Sequence, residues 1–469
     1  GKLTGGINNL DGATATLTGG TITANLVNEG LVTGTAAING NLINRNGTAD
    51  IGGSIGVDLI NLGGTITTGD LTVEGRILNS ATQTLVLRQK SPVVNAAGTP
   101  GLITIAQGAT TTAKKGTQNG PGATIQINGT LVSDIFNNGT VVNDGQLTGT
   151  VTNLSSFESN GALNGSIITG YYDKKYYDGA SAEVNGRVTG DVTFAAGSLS
   201  LGNGTNIGGS LNLLKSYTLA DGTRVNAAQT LVGSGSTLSL GGTIGGKLVN
   251  EGTIKLSDNS AAIVGNLDNN GTLDLRNSSP NTVLNTQGLS GNGVIALDVF
   301  TGEILGGDKV VVAGGATTGN IHLTFAELPT VGGAAIGKTT TLVDVDDDYT
   351  INYNYSFDEL AASSERIVYS VEKGTDGDIQ LVSQTNPAIG AMFANVTLVQ
   401  SLIGSVINRP TSPYVTGLVT DYADKPCGVG GWGRATGGNA TVQGKTNNQV
   451  STAENEVSAS YYGMQGGVD

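Results

Sequence analysis

Gly52-Gly53-Ser54-Ile55-Gly56 has the spacing of a G-x-S-x-G nucleophile turn, where a serine at a sharp strand-to-helix corner attacks an acyl carbon. Such a serine needs a base, and the single histidine is His322, within Ile321-His322-Leu323-Thr324-Phe325. That run alternates as a strand does, so His322 reads as facing solvent or a neighbour. Ser54 sits in glycine-rich repeat with no helical pattern after it, so a serine triad is not expected. Asp344, Asp346, Asp347 and Asp348 form the densest acidic group. Paired carboxylates could split a glycosidic bond, and carboxylate oxygens could hold calcium. The bland reading, a solvated acidic patch, is favoured, because the G-G-x-G-x-D nonapeptide of calcium-binding β-rolls does not recur. Gly333 to Gly337-Lys338-Thr339 ends like a phosphate-binding loop but is one residue short between its glycines. Asn138 and Asn270 begin Asn-x-Ser/Thr triplets and are read as turn residues. The sequence therefore assigns no catalytic, cofactor-binding or metal-ligating residue, and implies no cofactor.

What could such a chain be instead? It has 469 residues and a net charge of −14. Acidity argues against nucleic acid, whose phosphates need a basic face, and against a polybasic membrane contact. One cysteine, Cys427, excludes an intrachain disulfide and any Cys-rich metal cluster. Low cysteine suits a chain exported unfolded. Apolar residues make up 38% and charged residues only 13%, which favours a buried core over disorder. Gly1 to Gly12 already carry the repeat pattern, with no secretory leader, and the last residues stop inside a patterned stretch. The chain reads as a fragment at both ends.

The repeat supplies the architecture. Leu248, Asn250, Gly252, Thr253, Ile254 and Leu256 return 19 residues later as Leu267, Asn269, Gly271, Thr272, Leu273 and Leu275. LVNEG occurs at 26–30 and at 248–252, and Leu147–Thr152 reappears as Val188–Thr193, an offset of 41, close to two periods. Insertions interrupt the pattern at 86–120 and 171–180. Period-two alternation within each unit marks strands with one buried face. Asn-Gly, Asp-Gly and Gly-Gly at the unit ends accept positive φ. A hairpin array gains nothing from a fixed Asn register. A parallel β-helix stacks each Asn on the next as an amide ladder. At about 19–20 residues per coil, residues 1–284 form about 15 coils of a stalk roughly 70 Å long.

Within it, Tyr171-Tyr172-Asp173-Lys174-Lys175-Tyr176-Tyr177-Asp178-Gly179 is rich in aromatic residues and charge. It reads as an ordinary flank loop or, more sharply, as a binding loop. Longer β-branched runs fill 285–385. Asn386 caps and Pro387 opens an uncharged helix that Pro410 ends. Its length nears that of a membrane span, but Asn395, Gln400 and Ser405 favour burial in protein. Beyond it, 428–444 and 457–469 look like two amphipathic strands joined by a polar hairpin region.

This order of segments resembles a bacterial autotransporter across its passenger–translocator junction. Gly307-Asp308-Lys309-Val310-Val311-Val312 with Gly319 is similar to the passenger C-terminus of pertactin-like members. Trp432-Gly433-Arg434-Ala435 and Tyr462-Gly463-Met464-Gln465-Gly466-Gly467-Val468-Asp469 are similar to the first strands of the translocator barrel. The resemblance implies an all-β chain: a right-handed parallel β-helix over 1–284, an autochaperone-like region over 285–385, a linker helix over 386–410, and the start of an incomplete β-barrel over 411–469. It also implies an outer-membrane location with the passenger at the cell surface, assembly partners in the barrel-assembly machinery, and export C-terminus first.

The expected function is a structural or adhesive passenger, not an enzyme, that presents loops to a host-cell, matrix or glycan receptor. An enzyme passenger whose site lies upstream or on a coil face, and an inert spacer, are the alternatives.

Overall fold

The computed structural model describes residues 1–80, 100–256, 260–279, 281–314, 317–328, 336–346, 351–360, 363, 367–386, 388–407, 431–447 and 452–468. Cys427, Gly333, Asp347, Asp348, Pro387, Pro410 and much of the first insertion lie outside them.

The chain winds as a parallel β-solenoid, with three short strands per coil in its middle, as in Thr124–Ile127, Thr130–Val132 and Ile135–Asn137, and one short and one long strand per coil elsewhere, as in Leu42–Asn44 and Thr48–Ile55. Strands in the middle of the stack bond to their counterparts one coil below and one coil above. Ile135–Asn137, for instance, pairs in parallel with Thr117–Asn119 and with Val151–Asn153. The expected 19-residue echo is realised as stacking: Leu248 lies on Leu267, Asn250 on Asn269 and Ile254 on Leu273. The 41-residue offset is two coils, through Leu147, Leu163 and Val188. Alternate residues point inward, and Leu131, Ile135, Val141, Leu147 and Val151 are almost fully buried.

One position runs the length of the stack. It is occupied in order by Asn9, Asn28, Asn44, Asn61, Asn79, Asn119, Asn137, Asn153, Thr169, Phe194, Leu213, Val232, Asn250 and Asn269. The first eight form the amide ladder expected from the repeat. Each Nδ2 donates to the next Oδ1 at 2.7–3.0 Å, from Asn9 to Asn28 through to Asn137 to Asn153. Asn250 and Asn269 repeat the contact at 2.7 Å. The spare donor hydrogens reach backbone carbonyls at the corner, as Asn28 does to Gly30 and Thr48. A buried amide without such partners would be costly, so the ladder fixes register as well as filling the corner.

Coil length is more variable than the expected 19–20 residues. Ladder spacings of 18 and 16 follow each other at Asn119–Asn137 and Asn137–Asn153. The difference lies in the corner after the ladder residue: four residues at 120–123 against two at 138–139. Corners absorb length while strands hold register. The glycine two residues past a ladder Asn also works differently from expectation. Gly252 is outside the positive-φ region. It is needed because a Cβ would overlap the carbonyls of Ser236 and Gly233 in the coil beneath. Positive φ is required elsewhere, at Gly246 (φ 84°), where a Cβ would run into the Ala227 carbonyl.

Two compact units are present. The first comprises 1–298, 308–324 and 343–356; the second comprises 299–307, 325–342 and 357–469. Near its C-terminal end the first unit buries two carboxylates. Asp308 accepts from the Thr282 amide (3.0 Å) and the Asp298 amide (2.7 Å), while Asp298 accepts from Asn277 and Ser278. Burial pushes the Asp308 carboxyl up to about 6, against the pull of those amides, and the neighbouring Asp298 charge adds to the rise. Asp308 thus ties the segments around Thr282, Asp298 and itself.

In the second unit, Ile367–Lys373 and Ile379–Thr385 form an antiparallel pair, and the Tyr369 hydroxyl donates to the Thr301 carbonyl. The helix spans Ala388–Ile407, and Asn386 caps it by accepting from the Ala388 amide at 2.9 Å. Against the expectation of a helix buried in protein, Ala394 and Leu398 are buried here while Met392, Val396, Val399 and Ile403 are exposed. No described helix is long and apolar enough to cross a membrane, which says nothing of β-barrels. Gly431–Asn447 and Thr452–Val468 pair antiparallel along their whole length, with Arg434 opposite Gln465.

Candidate functional site

The richest surface chemistry gathers where the solenoid is interrupted. Residues that precede the ladder Asn point outward, and in three successive coils they are Gln118, Phe136 and Thr152. After Thr169 the chain leaves the coil at Gly170 (φ 79°). Tyr171–Tyr172 then pairs antiparallel with Lys175–Tyr176 around Asp173 and Lys174, whose φ values are 47° and 62°. Two consecutive positive φ angles make the tight hairpin turn that matches strand twist, here without glycine. The Tyr177 amide donates to the Gly170 carbonyl and closes the base, and the coil resumes with Ser181 in register on Ser156. An ion pair between Asp178 and Lys215, at 2.9 Å, holds the returning chain.

The hairpin folds back over the outward row. The Tyr172 ring meets Phe136 edge-on, with centroids 4.7 Å apart, two coils before the hairpin's own. Tyr171 and Tyr176 pack at 5.2 Å. All three tyrosines remain accessible, with Tyr176 67% exposed. Beside them lies an open groove of about 320 Å³, lined by Lys115, Gly116, Thr117, Gln118, Asp134, Ile135, Phe136, Thr150 and Thr152. Phe136 belongs to both features. Asp134 is fixed because its Oδ1 accepts from the Thr150 amide at 2.8 Å.

This arrangement can hold a ligand by ring faces, hydroxyls and amides. It does not supply paired carboxylates, since Asp134 is the one acidic residue in the lining. Among the described residues no group of three His, Cys, Asp or Glu could hold a metal ion. The sequence-flagged groups do not converge. Ser54 lies in the strand Thr48–Ile55, and His322, whose Nδ1 meets the Ser356 hydroxyl at 2.9 Å, lies in the later strand Thr317–Glu327. Asp344 forms an ion pair with Lys309. Lys338 leads into a strand, not a helix, and exchanges hydrogen bonds with Ser383. Sequence reasoning flagged the tyrosine segment and missed Lys115, Gln118, Asp134, Phe136, Thr150 and Thr152. Their signal was available in part: Gln118, Phe136 and Thr152 each stand one residue before a ladder Asn.

No family model and no curated protein matches the chain. Among solved structures, the crystal structure of the Haemophilus influenzae Hap adhesin is similar at 13% identity, with a TM-score of 0.28, over 81% of this chain and 58% of that one. The chain thus spans less than two thirds of that protein's length, and a likeness of this size carries no argument about what it binds.

Proposed function

We propose that this chain is the structural, adhesive stalk of a surface-displayed autotransporter passenger, followed by a linker and the start of its outer-membrane translocator. The carrying observation is a fourteen-position in-register parallel stack that holds up an exposed tyrosine hairpin. A solenoid of that height, about 60 Å at 4.8 Å per coil, gives reach, and the hairpin gives contact. The C-terminal features support the translocator half of the reading. A capped helix and a long antiparallel pair follow the solenoid, and that pair carries the Trp432 and Tyr462 motifs. Growth of the stack from the 285–385 end suits export, since each coil pairs only with one already formed. The receptor is a cell-surface, matrix or glycan partner.

Beads coated with the purified chain, tested for adherence to cell layers and matrix beside a panel of hydrolase substrates, decide the adhesive half. Adherence without turnover is expected; turnover abolished by one Asp or Glu substitution overturns it. Antibody labelling and protease shaving of intact Gram-negative producer cells test the location, and a passenger inaccessible on intact cells refutes it.

A further inference from the structure

We propose that the groove lined by Phe136 is a saccharide site, in which a short neutral glycan lies against Phe136, hydrogen-bonds to Gln118, Asp134 and Thr152, and extends past the lining to the Tyr172 ring that meets Phe136. The inference deepens the adhesive reading and rests on it for biological meaning, but not for its chemistry. A volume of about 320 Å³ stands at the lower end of small-ligand pockets, roughly 300–1,000 Å³, and suits a few sugar rings better than a folded partner.

Lining chemistry selects among small ligands. Sugar rings present C–H faces to aromatic rings and hydroxyls that both donate and accept. Half-buried Phe136 in the lining and the 47% exposed Tyr172 ring that meets it edge-on supply the first partner. Side-chain amide, hydroxyl and carboxylate supply the second. Among the described residues the side chains of Gln118 and Thr152 have no hydrogen-bond partner, so that capacity is unspent. One Asp134 oxygen is held by the Thr150 amide, which aims the carboxylate and leaves its other oxygen open.

Other ligand classes fit worse. A peptide adding itself as a strand needs a free edge. The strands at Thr117–Asn119, Ile135–Asn137 and Val151–Asn153 are each bonded on both sides. An anionic glycan needs an unopposed cation. Within the lining the one cation, Lys115, shares the wall with Asp134, and the adjacent Lys114 is paired with Glu74 at 2.7 Å; Lys174 and Lys175 lie on the hairpin, outside the lining.

Calorimetric titration of the full chain with chitotriose, cellotriose, maltotriose and lactose, beside a heparin tetrasaccharide and a hydrophobic hexapeptide, tests the assignment. At least one neutral glycan is expected to bind with micromolar to millimolar affinity. Tyr172→Ala and Gln118→Ala should each weaken it at least tenfold. The second change leaves the hairpin and coil intact, so lost binding there is not misfolding. The inference is overturned if no neutral glycan binds with a Kd below about 10 mM. It is equally overturned if the heparin fragment or the peptide binds tighter, or if both variants keep wild-type affinity. Beads that adhere to cells while no glycan binds would remove this site and leave the adhesive reading standing. Glycan binding without adherence would do the reverse.

Discussion

Asn119 is the most informative position to perturb. It is 1% exposed, accepts from Asn79 at 3.0 Å, and donates to Asn137 Oδ1 at 2.8 Å, to the Thr140 carbonyl at 2.9 Å and to the Ala123 carbonyl at 3.2 Å. Asn119→Ala removes these bonds at about 1 kcal/mol each and opens a small void. Some partners keep alternatives: Asn79 still donates to Gly101 and Thr124, and Asn137 still accepts from the Gly139 amide. The expected local loss is about 2–4 kcal/mol. Asn119→Asp keeps the shape but replaces the donor with an acceptor that faces three oxygens, so it should cost more than alanine. A long array does not unfold as one unit, so a single melting temperature is the wrong readout. Hydrogen exchange compares coils 101–153 with coils 217–256 in the same molecule. Protection in the first set should fall roughly 30- to 700-fold for alanine, further for aspartate, and hardly at all in the second. If aspartate protects as well as wild type, the ladder is corner filling and the register argument is wrong.

Other consequences follow from the same geometry. Asp308 sits at about 6 in the folded chain against an ordinary 3.8, so between those values the folded state holds a proton that the unfolded state releases. Its contribution to stability is full below about pH 4 and is lost as pH rises through 6, about 3 kcal/mol in all. Exchange protection around 282–312 should therefore be higher at pH 4.5 than at pH 7.5, and Asp308→Asn should flatten that slope. Gly246→Ala and Gly222→Ala both place a side chain at positive φ, but only the first meets a carbonyl of the coil beneath. Chemical denaturation should show a loss of about 1 kcal/mol at Gly222 and at least twice that at Gly246. Replacing 171–179 by two glycines shortens one coil to near its neighbours' length, and circular dichroism and exchange elsewhere should be unchanged while adherence falls.

The solenoid was legible because stacking repeats one physical requirement. The residues that echo at 19 are those that face inward or close the ladder, so Leu248 and Asn250 announce Leu267 and Asn269. The coil's true length was not legible, because corners such as 120–123 and 138–139 change size without touching the pattern. Asp298 and Asp308 were invisible as a buried pair, since ten residues and a change of strand direction separate them. The groove escaped for a related reason. Its wall comes from three coils, and outward positions obey no apolar rule, so Gln118, Phe136 and Thr152 look like unrelated residues in a linear reading. Only the tyrosine segment, which breaks the repeat by length and composition together, could be singled out.

That contrast explains where recognition can sit in such a chain. A strand in the stack is bonded above and below, so its length and inward residues are fixed by its neighbours. A corner has one constraint, to return the chain in register, and Gly170 to Ser181 meets it despite the added hairpin. Energetically the insertion costs loop closure, which grows only as the logarithm of length. The insertion touches the stack at two places, where Tyr172 lands on Phe136 two coils away and Asp178 on Lys215. Rigid coils and permissive corners therefore divide the work: register sets which outward side chains lie side by side, and a single corner insertion lays a tyrosine ring on the phenylalanine of that row.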